Sequence, residues 1–334
     1  MLNSIVMSSR VRLARNINNL PFPNKLSDYE SAQSISKAIF EILGEDYEYR
    51  KLKNLTNNQC LMLLESHDIS KDLIGNKDIS GYAKSADGEV TIMINEEDHL
   101  REQCIKKGFD LYNCYFKLSK IDDQILNGID VAFSDRLGFL TACPTNVGTG
   151  MRASVMMFLP ALTLNGLIKQ LIASLEQKGL TVRGLFGEGS VCEGYFYQIS
   201  NKYTLGISEK DTIFMVEKNV KMIIEMEEKA RKMLLSSSKN DIIDMCYRAY
   251  GVLTNSYMLT SEECIELLSK LRFGVVLDIL KLKNPSVIDE LYTSIFPAHL
   301  MYNYALELNE EEQKIFRAKY VCENLENKLI KGAR

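Results

Sequence analysis

The sequence has few of the features that mark membrane, secreted or zinc-binding proteins. It contains no uninterrupted apolar segment of about 18 residues, so a membrane-spanning helix is not expected. Residues 1–20 are polar around three arginines and carry no long apolar run, so no secretory signal is predicted. The three histidines and eight scattered cysteines include no CxxC pair, which argues against a structural zinc site. A cytoplasmic location with reduced thiols is therefore expected.

The length and charge are those of an ordinary globular protein. At roughly 150 residues per domain, 334 residues favour two domains. The formal net charge of -4 gives no general attraction to anionic polymers or surfaces. Neither a nucleic acid nor a membrane is therefore expected as a partner.

The pattern of apolar residues changes near residue 208. Before it, short alternating runs at 89–94, 138–142 and 195–199 predict strands of a sheet with helices against it. After it, apolar residues recur at spacings of three and four, and N-cap patterns begin at Thr260 and Asn309. We therefore expect a mixed α/β domain at 1–230 and a helical domain at 231–334.

Three helices are predicted within the first domain. The first opens at the capping-box pattern of residues 27–30 and ends at Gly44. A second is expected to follow Asn95, and a third to span 167–178.

Two charged segments suggest a site for phosphates and a cation. In Ser8-Ser-Arg-Val-Arg-Leu-Ala-Arg15, Arg10 and Arg12 alternate, so an extended strand would project both from one face, where a polyphosphate would suit their donor forks. In Asn95-Glu-Glu-Asp-His-Leu-Arg101, a carboxylate could hold and deprotonate a cation while Arg101 reaches a phosphate. The alternatives are a solvent-exposed strand or basic arm, and a helix start in which Glu97 and Arg101 form an i,i+4 pair.

Two glycine-rich segments complete the set. Residues 143–154, CPTNVGTGMRAS, follow a predicted strand and are expected to lead into an apolar helix, an arrangement whose N–H groups can cradle anions. Residues 183–190, RGLFGEGS, are expected to form a mobile loop that closes over a substrate. Alone, each is also compatible with an ordinary glycine loop or surface hairpin.

Together these segments indicate phosphoryl transfer to a cationic acceptor. Five arginines (10, 12, 101, 152 and 183) fall in the four segments, and carboxylates fall in two of them. Arginines around a nucleotide neutralise the charge of phosphoryl transfer, while carboxylates can orient a guanidinium and remove its proton.

The four motifs, in this order, resemble those of the phosphagen kinases, and more closely those of the bacterial protein arginine kinases. The resemblance covers about residues 5–230. It implies an α+β fold in which a catalytic domain, an antiparallel sheet flanked by helices, is followed by an all-α domain for regulation, substrate docking or dimerisation. It also implies transfer of the γ-phosphoryl group of ATP to protein arginine. The helical domain that precedes the first motif in phosphagen kinases has no counterpart before Ser8, which we expect to open the site to a side chain of a protein.

The resemblance also assigns residues. Glu97 is the expected base, Glu188 the second carboxylate on the guanidinium, and Cys143 the reactive cysteine near the substrate. Arg152 and Arg183 belong to the catalytic arginine cage, and Glu96, Asn146 and Ser154 support the site. The residues expected to contact the nucleotide are Ser8, Ser9, Arg10, Val11, Arg12, His67, Arg101, Arg152, Ala153, Ser154, Val155, Met156, Arg183, Gly184, Leu185, Phe186, Gly187 and Glu188. Magnesium is expected to be held mainly by ATP and water, with no protein ligand.

The family also suggests partners. These are client proteins that present arginine, stress-response repressors among them, a Clp-type protease that receives the marked proteins, an activating zinc-binding protein, and a second copy in a homodimer. The family's regulatory Arg-Asp-x-x-Arg-Ala segment corresponds to residues 313–318, which keep only Arg317 and Ala318. Two other functions stay open: a kinase for a free guanidine such as arginine, and a phosphoarginine-binding adaptor without catalysis.

Overall fold

The structure is a computed structural model that describes residues 5–26, 29–184 and 193–326. The strands are β1 (Val6–Arg15), β2 (Tyr47–Lys51), β3 (Gly81–Ser85), β4 (Val90–Ile94), β5 (Leu100–Lys107), β6 (Phe133–Ser134), β7 (Gly138–Phe139), β8 (Met151–Phe158), β9 (Leu180–Arg183) and β10 (Phe196–Asn201). The α-helices are α1 (Tyr29–Leu43), α2 (Asn57–Glu65), α3 (Lys71–Gly75), α4 (Leu111–Gly128), α5 (Pro160–Leu164), α6 (Ile168–Gln177), α7 (Glu209–Ser237), α8 (Lys239–Asn255), α9 (Ser261–Val276), α10 (Val287–Ser294), α11 (Pro297–Tyr304) and α12 (Glu310–Leu325).

Eight of these strands form one sheet, and β1 lies at its centre. The order is β2-β3-β4-β5-β1-β8-β10-β9, and every neighbouring pair is antiparallel. From α7 onward the described chain is helical. The predicted α+β class, an antiparallel sheet flanked by helices and followed by helices alone, is confirmed.

The sheet has one apolar face, and helices α4 and α7 cover it. Along β1 and β8, alternate residues such as Val11, Leu13, Ala153 and Val155 are almost completely buried. Complete burial of a valine or leucine side chain stabilises a fold by roughly 1.5–3 kcal/mol. Because successive side chains of a strand point to opposite faces, the residues between them must point away from this core.

Several predicted elements are confirmed with small changes of boundary. Helix α1 ends at Leu43, where Gly44 adopts a φ of 64°. Its proposed capping residues, 27 and 28, lie outside the described residues. Helix α6 occupies 168–177 within the predicted span. The side chains of Thr260 and Asn309 cap α9 and α12 as predicted.

The prediction of a helix after Asn95 is wrong. Asn95 adopts a φ of 58°, and its N–H donates to the carbonyl of His99 at 2.9 Å, which closes a hairpin between β4 and β5. Asparagine tolerates this left-handed conformation better than most residues. The carboxylate of Asp98 accepts hydrogen bonds from Asn16 and from the N–H of Ala142, so it serves another part of the chain instead of a helix start.

The prediction that residues 143–154 lead into an apolar helix is also wrong. Residues 151–158 form β8, because buried Met151, Ala153 and Val155 alternate with half-buried Arg152 and Met156 in a period of two. The neighbouring strand predicted at 138–142 is shorter, since β7 contains only Gly138–Phe139.

Helix α7 connects the sheet to the later helices without a break at residue 230. On this helix, Glu227 is buried and accepts hydrogen bonds from the N–H groups of Ala161 and Leu162, which caps α5. Arg231 pairs with the same carboxylate at 2.8 Å. The helix thus passes through residue 230 without interruption, and the division at 230/231 remains a prediction.

Candidate active site

The second face of the sheet carries the five arginines that the sequence singled out. In an antiparallel ladder, paired residues point to the same face. Arg12 of β1 pairs with Arg152 of β8, and two residues away Ala14 pairs with Arg101 of β5. Arg10 shares the face of Arg12, and the pairs β1–β8, β8–β10 and β10–β9 place Arg183 on it as well. We call this surface the arginine face.

Positive charge is concentrated on the arginine face. Burial, together with Arg101, Arg152 and Arg183, lowers the pKa of Arg10 to about 9. Burial and the charges of Arg10, Arg101 and Arg152 lower the pKa of Arg12 well below its ordinary value. The Nε atoms of Arg10 and Arg12 are buried and have no hydrogen-bond acceptor in the part of the chain that the structure describes. A bound polyphosphate would supply both the missing acceptors and the opposite charge.

Two arginines of this face are oriented by polar neighbours. Arg101 forms a salt bridge with Glu96, a carboxylate that is 1% exposed and also accepts a hydrogen bond from Ser70. Arg152 donates from Nη2 to Ser200 Oγ at 3.1 Å. The guanidinium groups are thus held in place before any ligand arrives, which lowers the entropy lost on binding.

Glu97 lies exposed at the tip of the β4–β5 hairpin. Crowding by protein atoms and the neighbouring carboxylates Asp98 and Glu96 raise its pKa, against the opposing effect of Arg101. Its N–H donates to Glu96 Oε2 at 3.2 Å, which fixes the backbone at this point. An accessible carboxylate with a raised pKa, beside an arginine, fits the role of a general base.

Cys143 is brought toward this hairpin by a single buried carboxylate. Asp98, next to Glu97, accepts a hydrogen bond at 2.7 Å from the N–H of Ala142, the residue before Cys143. The half-buried Cys143 lies with its Sγ 3.0 Å from Thr145 Oγ1. Farther along this loop, a Cβ on Gly148 would lie 2.2 Å from the carbonyl oxygen of Thr204, so only glycine fits there.

His67 borders the arginine face from the end of α2. It has a φ of 59°, and its carbonyl accepts a hydrogen bond at 2.9 Å from Gln103, which pairs with Arg12 in the sheet. His67 is solvent-exposed, while the protein atoms around its ring and the charge of Arg10 lower its pKa to about 4. A neutral His67 can accept or donate a hydrogen bond without adding to the positive charge.

The structure brings only part of the predicted nucleotide contacts together. Ser8, Ser154 and Met156 share the arginine face by register. The side chains of Ser9, Val11, Ala153 and Val155 point to the opposite, buried face, as the alternation of a strand requires. The Ser9 hydroxyl is used there, since it donates to the carbonyl of Gly108 and accepts from the N–H of Asp110, both at 2.9 Å.

The glycine-rich segment after β9 is described only at its start. Arg183 ends β9, and Gly184 follows it as a buried residue. Leu185, Phe186, Gly187 and Glu188 lie outside the described residues.

Sequence reasoning missed the polar residues that surround the arginines. Gln103, Gln198 and Ser200 lie on the arginine face, beside Arg12, Met156 and Ser154 in the sheet. The signal that could have found them is a polar residue at every second position of a buried strand, in phase with a known site residue.

A buried group of acids lies directly behind the arginine face. Arg15 pairs with Asp122 at 2.7 Å and with Glu209 at 3.6 Å. Glu102 of β5 is 0% exposed, and burial, Asp122 and Glu209 raise its pKa well above its ordinary value. One arginine thus faces three carboxyl groups, and the charged form of Glu102 is disfavoured by burial and by its two acidic neighbours.

The described residues offer neither a metal cluster nor a membrane-spanning helix. No group of three histidine, cysteine, aspartate or glutamate side chains is placed to hold a metal ion there. Within the same residues, no helix is both long and apolar enough to cross a membrane.

The chain resembles two family models and several known proteins. Residues 30–230 match "ATP:guanido phosphotransferase, C-terminal catalytic domain", and residues 239–332 match "Protein-arginine kinase McsB C-terminal domain". The protein-arginine kinase of Clostridium acetobutylicum is 42% identical over 97% of this chain and 96% of its own length. That of Caldanaerobacter subterraneus subsp. tengcongensis is 42% identical over 97% of this chain and 98% of its own. Among solved structures, a lombricine kinase is 27% identical, with a TM-score of 0.60 over 72% of this chain and 70% of that one.

Proposed function

Because the chain belongs to the ATP:guanido phosphotransferases and, within them, to the protein-arginine kinase family, we propose that it transfers the γ-phosphoryl group of ATP to arginine side chains of client proteins. The observation that carries this proposal is the arginine face, where five guanidinium groups from four strands converge. Among the described residues, no acceptor is found for the buried Nε atoms of Arg10 and Arg12. Such a surface fits a polyphosphate better than any neutral ligand.

The side chains have distinct roles in the proposed transfer. Arg10, Arg12, Arg101, Arg152 and Arg183 hold the phosphates and neutralise the charge of the transition state. Magnesium, when bound with ATP, would neutralise further phosphate charge, and no protein ligand for it is proposed.

Glu97 acts on the acceptor. It accepts a proton from a guanidinium nitrogen of the client, and that nitrogen forms the new N–P bond as the bond to the ADP oxygen breaks. A raised pKa suits this step, because a base titrating closer to the working pH removes the proton more readily while remaining ionised. Glu188, which lies outside the described residues, is proposed as the second carboxylate on the guanidinium.

The test is transfer of labelled phosphate from ATP with magnesium. The acceptors are an unfolded arginine-containing protein, the same protein with every arginine replaced by lysine, and free arginine. Label that is lost in acid, found on the arginine protein and on neither control acceptor, is the expected result. Label on free arginine alone would indicate a free-guanidine kinase, and ATP binding without transfer to any acceptor would favour the adaptor.

An Arg152→Ala variant checks the source of the activity. We expect its rate to fall by about 10³-fold, as for other arginines that stabilise phosphoryl transfer. A loss of less than tenfold would remove Arg152 from the site.

The cellular setting is proposed from the family resemblance. The client proteins would pass to a Clp-type protease, a zinc-binding protein would activate the kinase, and two copies would form a homodimer. A cytoplasmic location is supported by the cysteines, because all seven in the described residues are free thiols. Co-purification with each partner, and the mass of the protein in solution, test these points.

A further inference from the structure

A glutamate of the sheet domain caps a helix of the C-terminal region. Glu65, the last residue of α2, accepts hydrogen bonds from the N–H groups of Ala298 and His299 at 2.9 and 3.1 Å. Phe296, the N-cap residue of α11, provides no side-chain cap of its own. The first N–H groups of a helix have no acceptor within the helix itself. At the start of α11, Glu65 of the sheet domain supplies the acceptors that the N-cap side chain does not.

The contact continues through the side chain of His299. Its Nδ1 lies 2.6 Å from Glu65 Oε2, and its Nε2 lies 3.2 Å from the hydroxyl of Ser66. Asn58, at the other end of α2, donates to the carbonyl of Ala298 at 3.2 Å. Because both side chains of the Glu65–His299 pair are 15% exposed, the contact is largely shielded from solvent.

The start of α11 is itself held from the last helix. Arg317 of α12 is 3% exposed and donates from Nε to the carbonyl of Ile295 at 2.8 Å. It also donates from Nη1 to the carbonyl of Leu259 at 2.8 Å. Ile295 precedes the N-cap of α11, so α12 fixes the position from which α11 meets Glu65.

On the other side, Glu65 is two residues from His67. The N–H groups of His67 and Asp68 donate back to the carbonyls of Leu64 and Leu63, each at 2.9 Å, so this turn moves with the end of α2. The His67 carbonyl is bound by Gln103 on the arginine face. Hydrogen bonds, joined by the short backbone stretches 295–298 and 65–67, therefore connect α12 through α11 and Glu65 to the edge of that face.

We infer that Glu65 is a positioning residue, through which α11 holds the His67 turn against the arginine face and so sets the affinity for ATP. This inference rests on the proposed function only in taking the arginine face as the nucleotide site. Coupling between sites in proteins commonly changes an affinity by about 5- to 150-fold, which is the range expected here.

The test measures ATP binding directly on the full-length chain, by calorimetry, and turnover separately. Glu65→Gln and His299→Leu are each expected to raise the Kd and KM for ATP about tenfold, with kcat and the KM for the client protein within twofold of the wild type. His299→Asn, whose amide can replace Nδ1 as a donor, should restore ATP affinity. The matched control is Glu41→Gln, since Glu41 is exposed and, in the part of the chain that the structure describes, pairs only with Lys37.

The outcomes separate this inference from the proposed function. If both variants fold but bind ATP as the wild type does, Glu65 has no positioning role and the inference is overturned. The same holds if both variants lose thermal stability alone, at unchanged ATP affinity below their melting temperatures. If the wild type itself binds no ATP, the proposed function fails first.

Discussion

Replacing Arg10 by methionine is expected to stabilise the protein in the absence of nucleotide and to abolish its response to ATP. Burial and the nearby charges of Arg101, Arg152 and Arg183 disfavour the charged form of Arg10, and its Nε lacks an acceptor within the described chain. Methionine keeps most of the aliphatic length of the side chain but removes the charge. The substitution therefore relieves repulsion without leaving a large cavity.

The size of the effect follows from the pKa of Arg10. The fall from 12.5 to about 9 corresponds to about 5 kcal/mol that disfavours the charged form, at about 1.4 kcal/mol for each pKa unit. This penalty comes first from burial and then from the neighbouring arginines. Arg10 is only half-buried, so solvent and salt reduce both effects, and we expect a gain of about 1–3 kcal/mol in the free energy of unfolding. In a chain of this size each kcal/mol raises Tm by roughly 2–4 °C.

The assay is thermal unfolding with and without ATP and magnesium. Wild type should gain stability from the nucleotide by mass action, by about 2.7 kcal/mol when ATP is present at 100 times its Kd. Arg10→Met should start higher and gain little. Arg50→Met, at an exposed arginine paired with Glu48 on the edge strand β2, is the control and should respond to ATP as wild type does. A lower Tm for nucleotide-free Arg10→Met would refute the argument that the arginine face is electrostatically strained.

Three further substitutions test the site and its support. Glu97→Gln should lower kcat by about 10²- to 10⁴-fold and remove the acidic limb of the pH–rate profile. In the wild type this limb should lie above the ordinary glutamate pKa, because the pKa of Glu97 is raised. Loss of ATP binding in the variant would contradict a role as base. Cys143→Ser should lower kcat by less than about tenfold, because a hydroxyl can keep the contact with Thr145 at a typical net hydrogen-bond energy of about 1 kcal/mol; a hundredfold loss in a kinetic assay would make the thiol essential. Glu102 binds a proton in the folded state at pH values where the unfolded chain has released it, so its contribution to stability is lost as pH rises from the ordinary glutamate pKa toward its raised pKa. Glu102→Gln should therefore raise the free energy of unfolding at neutral pH and flatten this decline, as denaturant titrations at several pH values would show.

The parts of the fold that could be predicted are those with an unambiguous period or cap. The alternation of Arg10 and Arg12 correctly indicated a strand with both side chains on one face. Helix α6 and the caps at Thr260 and Asn309 were predicted for the same reason, because local hydrogen bonding determines them.

The failures came from segments whose conformation is set by distant partners. The residues after Asn95 have the charges of a helix start, yet Asp98 binds Asn16 and Ala142 across the fold and the backbone turns back as a hairpin. Residues 151–158 alternate between buried and half-buried positions, as a strand does, but the glycines before them are also typical of a loop that precedes a helix. The link from Glu65 to α11 joins residues 233 positions apart, and no local pattern reports such a contact.

The alternation of side chains along β1 limits the insertions and deletions that its coding sequence can tolerate. From Arg10 to Leu13, successive residues of this strand alternate between the arginine face and the hydrophobic core. Insertion or deletion of one codon within it would carry Arg12 into the core and Leu13 toward the substrate, so one event would damage both folding and chemistry. Length variation among descendants of this gene should therefore be absent from β1 and should collect in the connections between elements.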